Sequence, residues 1–115
     1  MGDRGVINFE DTGVQLYAHW AGDDLPAMLH AALGRRERWQ DEAYLARIVF
    51  CEMIKDDVMG ETGFGIMKGG VDMGPDHPVI HVNIGKSTIR VGAETIGFEE
   101  FVTSDITRLL MFKDY

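Results

Sequence analysis

Apolar and polar residues alternate first with the period of a strand. Val14, Leu16, Ala18 and Trp20 are interleaved with Gln15, Tyr17 and His19, so His19 belongs to the face opposite the main apolar row. Val6-Ile7-Asn8-Phe9 precedes this run across Glu10-Asp11-Thr12-Gly13, a short polar turn ending in glycine, and the two read as a hairpin. The period then changes. Leu25, Met28, Leu29, Ala32 and Leu33 form one helical stripe, Asp23-Asp24 before Leu25-Pro26 is a helix start, and Gly34 is placed to end it. A second helix is expected from Asp41 as N-cap to about Val58, with Gly60 just past its end. Ala43, Ala46, Val49, Phe50, Met53 and Ile54 give it a broad apolar arc, and Leu45 with Ile48 a second sector, which predicts a central helix. Glu52 falls in that second sector and must be hydrated, paired or held in a pocket. Arg47 is badly spaced for it, so Arg90 and Lys68 are the candidate partners.

Residues 62–68 resume a strand pattern, and residues 69–78 form a loop rich in Gly and Pro. Around Gly85-Lys86 the register specifies itself: Ile80 meets Val91 and Val82 meets Ile89 on one face, while His81 meets Arg90 and Asn83 meets Thr88 on the other. Phe98, Phe101 and Val102 return to helical spacing, and Thr103-Ser104-Asp105 is able to break that helix and cap a second short one. The order β-β-α-α-β-β-β-α predicts an α+β fold, a mainly antiparallel sheet of about five strands carrying two central helices and a C-terminal helix.

Composition narrows the class. The chain has 115 residues, 45% hydrophobic and 26% charged, and reads as a single α+β domain over residues 1–115. Its one cysteine, Cys51, permits no internal disulfide and no four-cysteine or Cys2His2 zinc site. No apolar run approaches the roughly 20 residues of a spanning helix, and the first residues lack the pattern of a secretory signal. These features lead to the expectation of a cytoplasmic protein that does not engage membranes. With 11 Lys plus Arg against 19 Asp plus Glu, the net charge of -8 opposes sequence-independent nucleic-acid binding. The cluster Arg35, Arg36 and Arg38 reads as a solvated helix end whose cations complement the helix dipole.

Candidate chemistry is sparse. Tyr17, His19, Trp20, Asp23 and Asp24 lie at a strand-to-helix junction, where an imidazole, a phenol and two carboxylates suit acid-base work, a divalent ion or a small ligand; Glu52 joins them if it is pocketed. The competing reading has Trp20 in the core and the two aspartates capping the helix. His77 and His81 have a spacing that places two imidazoles on one face of a helix, but Pro78 and the β-branched residues make this segment extended and remove that meaning. Asp72, Asp76 and His77 are loop residues with ligand chemistry. The glycines at 60, 63 and 65 follow a helix and lead into a strand, the reverse of a phosphate cradle. Cys51 lies mid-helix with nothing to activate it, and Ser87 and Ser104 lack a hydrolase context. No cofactor or metal centre is expected, and no catalytic residues are assigned.

The run Leu16-Tyr17-Ala18-His19-Trp20-Ala21-Gly22, with Leu25-Pro26, Ala32-Leu33, Arg38-Trp39, Tyr44, Arg47-Ile48 and Thr62-Gly63-Phe64-Gly65-Ile66, resembles small uncharacterised proteins of bacteria and their phages or mobile elements, over residues 6–102. The resemblance carries no activity onto particular residues. It implies a setting, an accessory gene of a phage or prophage, in which small acidic proteins bind and modulate host proteins, host-defence factors among them. The leading expectation is therefore a non-enzymatic interaction protein with a protein partner, a second copy of itself included. The alternative is a small-ligand or metal site, with hydrolysis in view, at Tyr17, His19, Asp23 and Asp24.

Overall fold

The computed structural model describes residues 2–115. β1 (Gly5–Phe9) and β2 (Val14–Ala18) form the expected hairpin. β3 (Phe64–Lys68) pairs with β2, β4 (Ile80–Asn83) with β5 (Thr88–Val91), and β5 with β6 (Glu94–Gly97). The sheet runs β3-β2-β1-β4-β5-β6.

Two features of the sheet correct the sequence reading. It has six strands rather than five, because β6 is only four residues long with Ile96 alone buried, too little alternation to recognise. It is also mixed: β1 and β4 pair in parallel, Ile7 beside Ile80 and Phe9 beside Val82, while every other pair is antiparallel. The β4–β5 register is the one expected, although the connection takes four residues and ends with Ser87 at φ 54°. Registers line up across the whole sheet, so that Ile66, Leu16, Ile7, Ile80 and Val91 form one continuous row, and Val14, Phe9, Val82, Ile89 and Ile96 the next. Both rows face the helices, which cover them except at Ile66.

α1 (Leu25–Gly34) carries Pro26 in its first turn, where a missing amide costs nothing, and buries Leu25, Leu29, Ala32 and Leu33. Asp41 caps α2 (Glu42–Ile54) as expected, its side chain accepting from the Tyr44 amide at 2.9 Å. The face α2 buries is Leu45, Ile48, Val49 and Met53, so the presumed secondary sector belongs to the core and Ala43 is exposed. The helix stops four residues short of Val58, since Asp56-Asp57 oppose the dipole at a C-terminus and Val58 and Gly60 propagate a helix poorly. Glu52 is paired with Lys55 Nζ at 2.9 Å, at the residue just past its own helix, and not with Arg90 or Lys68. Arg90 instead meets Glu10 at 3.3 Å.

α3 (Phe98–Thr103) plugs the end of the core with Phe98 and Phe101, and the Thr103 and Ser104 hydroxyls donate to its last free carbonyls. In place of the short helix expected after it stand two 3-10 turns, Ile106–Arg108, capped by Asp105, and Leu110–Phe112. The arginine cluster is largely spoken for: Arg35 pairs with Glu37, Arg36 with Glu99, and Arg38 stacks over Tyr44 at 5.1 Å.

The entry to the sheet depends on a backbone crossing. A Cβ on Gly22 would lie 2.6 Å from the Asp3 carbonyl oxygen and 2.9 Å from the Gly5 nitrogen, and one on Gly5 would lie 2.9 Å from the Gly22 Cα. Two glycines permit a contact that side chains forbid. It clamps residues 3–5 to the turn leading into α1, with the Gly22 amide donating to the Asp3 carbonyl at 2.7 Å.

Candidate functional site

Residues 17–24, singled out above, divide between two places. Tyr17, His19 and Trp20 stay together. The Tyr17 hydroxyl and His19 Nδ1 share a hydrogen bond of 2.6 Å, and the His19 and Trp20 rings meet edge to face at 4.7 Å. With residues 62–65 they wall an open, mainly apolar cleft of about 380 Å³. The hollow exists because position 65 is glycine. A Cβ there would meet nothing within 4 Å, whereas one on Gly63 would touch the Trp20 ring at 3.3 Å. Trp20 does not fill the core: it is 57% exposed.

The cleft opens beside β3, an outermost strand. Ile66 ends the long apolar row at 62% exposure because the helices do not extend over it, and Met67, next along the strand, is exposed too. The opposite edge differs. Residues 109–111 lie against β6 and share a hollow with it. β3 thus combines an open sheet edge with exposed apolar side chains on both of its faces, a combination that most edge strands avoid.

Asp23 and Asp24 belong elsewhere. Asp24 occupies the N-cap of α1, but its side chain accepts no hydrogen bond from the helix, contrary to expectation. Asp23 turns toward Asp3, whose carboxylate accepts from the Asp23 amide at 3.1 Å and, together with burial, holds the Asp23 carboxyl above its ordinary range. Glu52, on α2 with Lys55, lines no part of the cleft. Tyr17, His19, Trp20, Asp23, Asp24 and Glu52 therefore do not form one site.

Asp3 is the centre of a cluster that sequence reasoning missed. His77 Nε2–H donates to Asp3 Oδ1 and Nδ1–H to the Tyr115 main-chain oxygen, while the imidazole stacks on the Tyr115 ring at 4.6 Å. Two acceptors facing both ring nitrogens are satisfied together only by the imidazolium. Burial is the largest influence on His77 and pushes its pKa down, yet Asp3 and the Tyr115 oxygen together outweigh it and raise the value. His77 chiefly, aided by Asp23, holds the Asp3 carboxyl below its usual range. Burial next to Asp3 and Asp23 pushes the Tyr115 phenol up, and its enclosed hydroxyl has no hydrogen-bond partner among the described residues. The cluster is a clasp between residue 3, the 69–78 loop and residue 115, and its signal in the sequence was only His77 itself.

The remaining loop candidates are separately engaged. Asp76 accepts from the Arg4 amide at 2.8 Å, which holds its carboxyl low, and Asp72 accepts from the Gly74 amide at 2.8 Å. Asn8 donates to His81 Nδ1 at 3.1 Å, and burial, with Arg90 nearby, keeps that imidazole toward its neutral form. Among the described residues no three His, Cys, Asp or Glu side chains converge as metal ligands, and no helix is long and apolar enough to cross a membrane. Comparison of the chain with protein-family models, with curated proteins and with solved structures gives no match.

Proposed function

We propose that this chain is a non-enzymatic interaction protein that takes a protein partner onto the β3 edge. The observation that carries the reading is the open outer strand bordered by exposed Trp20, Ile66 and Met67. Strand addition there supplies main-chain hydrogen bonds, and the apolar border supplies the burial that makes such pairing stable. The resemblance to small phage and mobile-element proteins supports an accessory factor that binds and modulates a host protein. The separation of Asp23 and Asp24 from His19 weighs against a hydrolytic or metal site at this junction.

The test is capture from a bacterial lysate by the parent and by Ile66→Lys, a change at an exposed position that leaves the core alone. A partner held by the parent and released by the variant supports the reading. A partner held equally by both refutes it.

A further inference from the structure

We infer that the segment taken by β3 carries an aromatic anchor that enters the cleft over Gly65 and a basic residue two positions further on that meets Asp57. The inference rests on the β3 edge being the docking site, and it specifies the partner's chemistry.

Side chains of an added strand alternate between the two faces of the sheet. The residue set opposite Gly65 therefore points to the face where Gly65 has no side chain. It enters the hollow walled by Tyr17, His19 and Trp20, whose lining is mainly apolar and which has room for one aromatic ring. Its two neighbours point to the other face, onto half-buried Phe64 and exposed Ile66, and are apolar. In an antiparallel partner the residue two positions further on passes the end of β3 and comes level with Gly63, whose φ of 102° turns the chain there toward Trp20. There the Trp20 ring approaches within 3.3 Å of the position a Cβ would take, and the Asp57 carboxylate within 3.9 Å. A carboxylate beside an indole ring selects a cation with an apolar stem. Asp56 and Glu61, both exposed on the same connection, strengthen that selection, and the net charge of -8 acts in the same direction. Lys68, at the far end of the strand, selects an acidic residue there. The partner segment accordingly reads acidic, any, apolar, aromatic, apolar, basic. This chain contains no such run, which argues for a different protein over a second copy.

The probe is the peptide acetyl-Glu-Thr-Val-Trp-Val-Arg-Ser-amide, titrated into the isotope-labelled protein and followed by amide and indole NMR shifts. Shifts concentrated on β3 and the Trp20 indole are expected. Replacing the probe's Trp by Ala should weaken binding about 10-fold or more, and replacing its Arg by Glu should weaken it further as salt is lowered. Gly65→Leu fills the hollow without a backbone clash and should cost a similar factor while leaving the melting temperature unchanged or higher. Equal binding by the parent and Gly65→Leu overturns the anchor, and the edge reading then stands if Ile66→Lys abolishes binding and falls with it if Ile66→Lys does not. No shift at about 1 mM peptide overturns the inferred chemistry, because a Kd weaker than that leaves no useful recognition. A dimer of this chain that the peptide does not dissociate assigns the edge to a second copy and overturns it as well.

Discussion

Replacing Gly22 by alanine adds one methyl group at the tightest point of the fold, and its cost can be worked from the crossing. The new Cβ would lie 2.6 Å from the Asp3 oxygen, so the two chain segments must part by about 0.8 Å to reach an ordinary 3.4 Å contact. Neither side can yield by rotating a side chain, since the obstructing atoms are the main chain of residues 3–5. Overpacking of this kind costs about 1–3 kcal/mol, and stretching the Gly22 amide bond to Asp3 forfeits about 1 kcal/mol more, for a total of roughly 2–4 kcal/mol. In a domain of this size that lowers the melting temperature by about 8–15 °C. Gly65→Ala is the matched comparison: it has open space and a backbone conformation open to any residue, so it should hold or gain up to about 1 kcal/mol. Thermal unfolding followed by circular dichroism reads both. If Gly22→Ala melts within about 2 °C of the parent, the crossing is not tight and the argument that residues 3–5 are clamped there fails.

The clasp should be pH-dependent with a definite sign. The His77 pKa is raised on folding, so its contribution is complete below about 6.5 and is lost as pH rises through the folded value; the Asp3 pKa is lowered, so its contribution is present above about 4 and is lost as pH falls. The urea midpoint of the parent should exceed that of His77→Phe most between about pH 4.5 and 6.5, and a difference that persists unchanged at about pH 9 would show that the imidazolium is not involved. Glu52→Gln should move the melting temperature by no more than about 3 °C, because Lys55 is 62% exposed and such pairs are well screened; a much larger drop would reveal a partner other than Lys55. Leu29→Ala, at a fully buried position, should cost about 2–5 kcal/mol in urea denaturation, and a loss below about 1 kcal/mol would mean that α1 is not packed as described.

Local rules were legible and distant meetings were not. The β4–β5 register, the Asp41 cap and the Pro26 start follow from interactions within a few residues, and each is present. α2 ran short because its last turn met Asp56-Asp57, a local penalty that apolar periodicity does not register. β6 went unseen because it owes its existence to an already formed β5 and not to its own pattern. At the candidate site, Tyr17, His19 and Trp20 were found by adjacency on one strand and its exit. The Asp3, His77 and Tyr115 clasp joins residues 74 and 38 positions apart, and no spacing rule spans such distances. Asp23 and Asp24 misled for the converse reason, since closeness in sequence at a turn does not bring side chains to one place.

The parallel pairing of β1 with β4 has a consequence for how the chain folds. The sheet consists of two antiparallel halves, β3-β2-β1 and β4-β5-β6, joined only at this seam. β4, β5 and β6 are consecutive along the chain and close through short turns, so the second half forms from local contacts on the microsecond timescale of hairpins. The seam instead brings together Asn8 and His81, 73 positions apart, and its loop must close around both helices and β3 before any hydrogen bond rewards it. Docking of the two halves is accordingly the slow step of folding, and the seam is the line along which native-state hydrogen exchange should separate two cooperative units. Until it closes, β1 and β4 each present an unpaired strand edge. During synthesis β1 therefore stays without its parallel neighbour at least until residue 82 has been made.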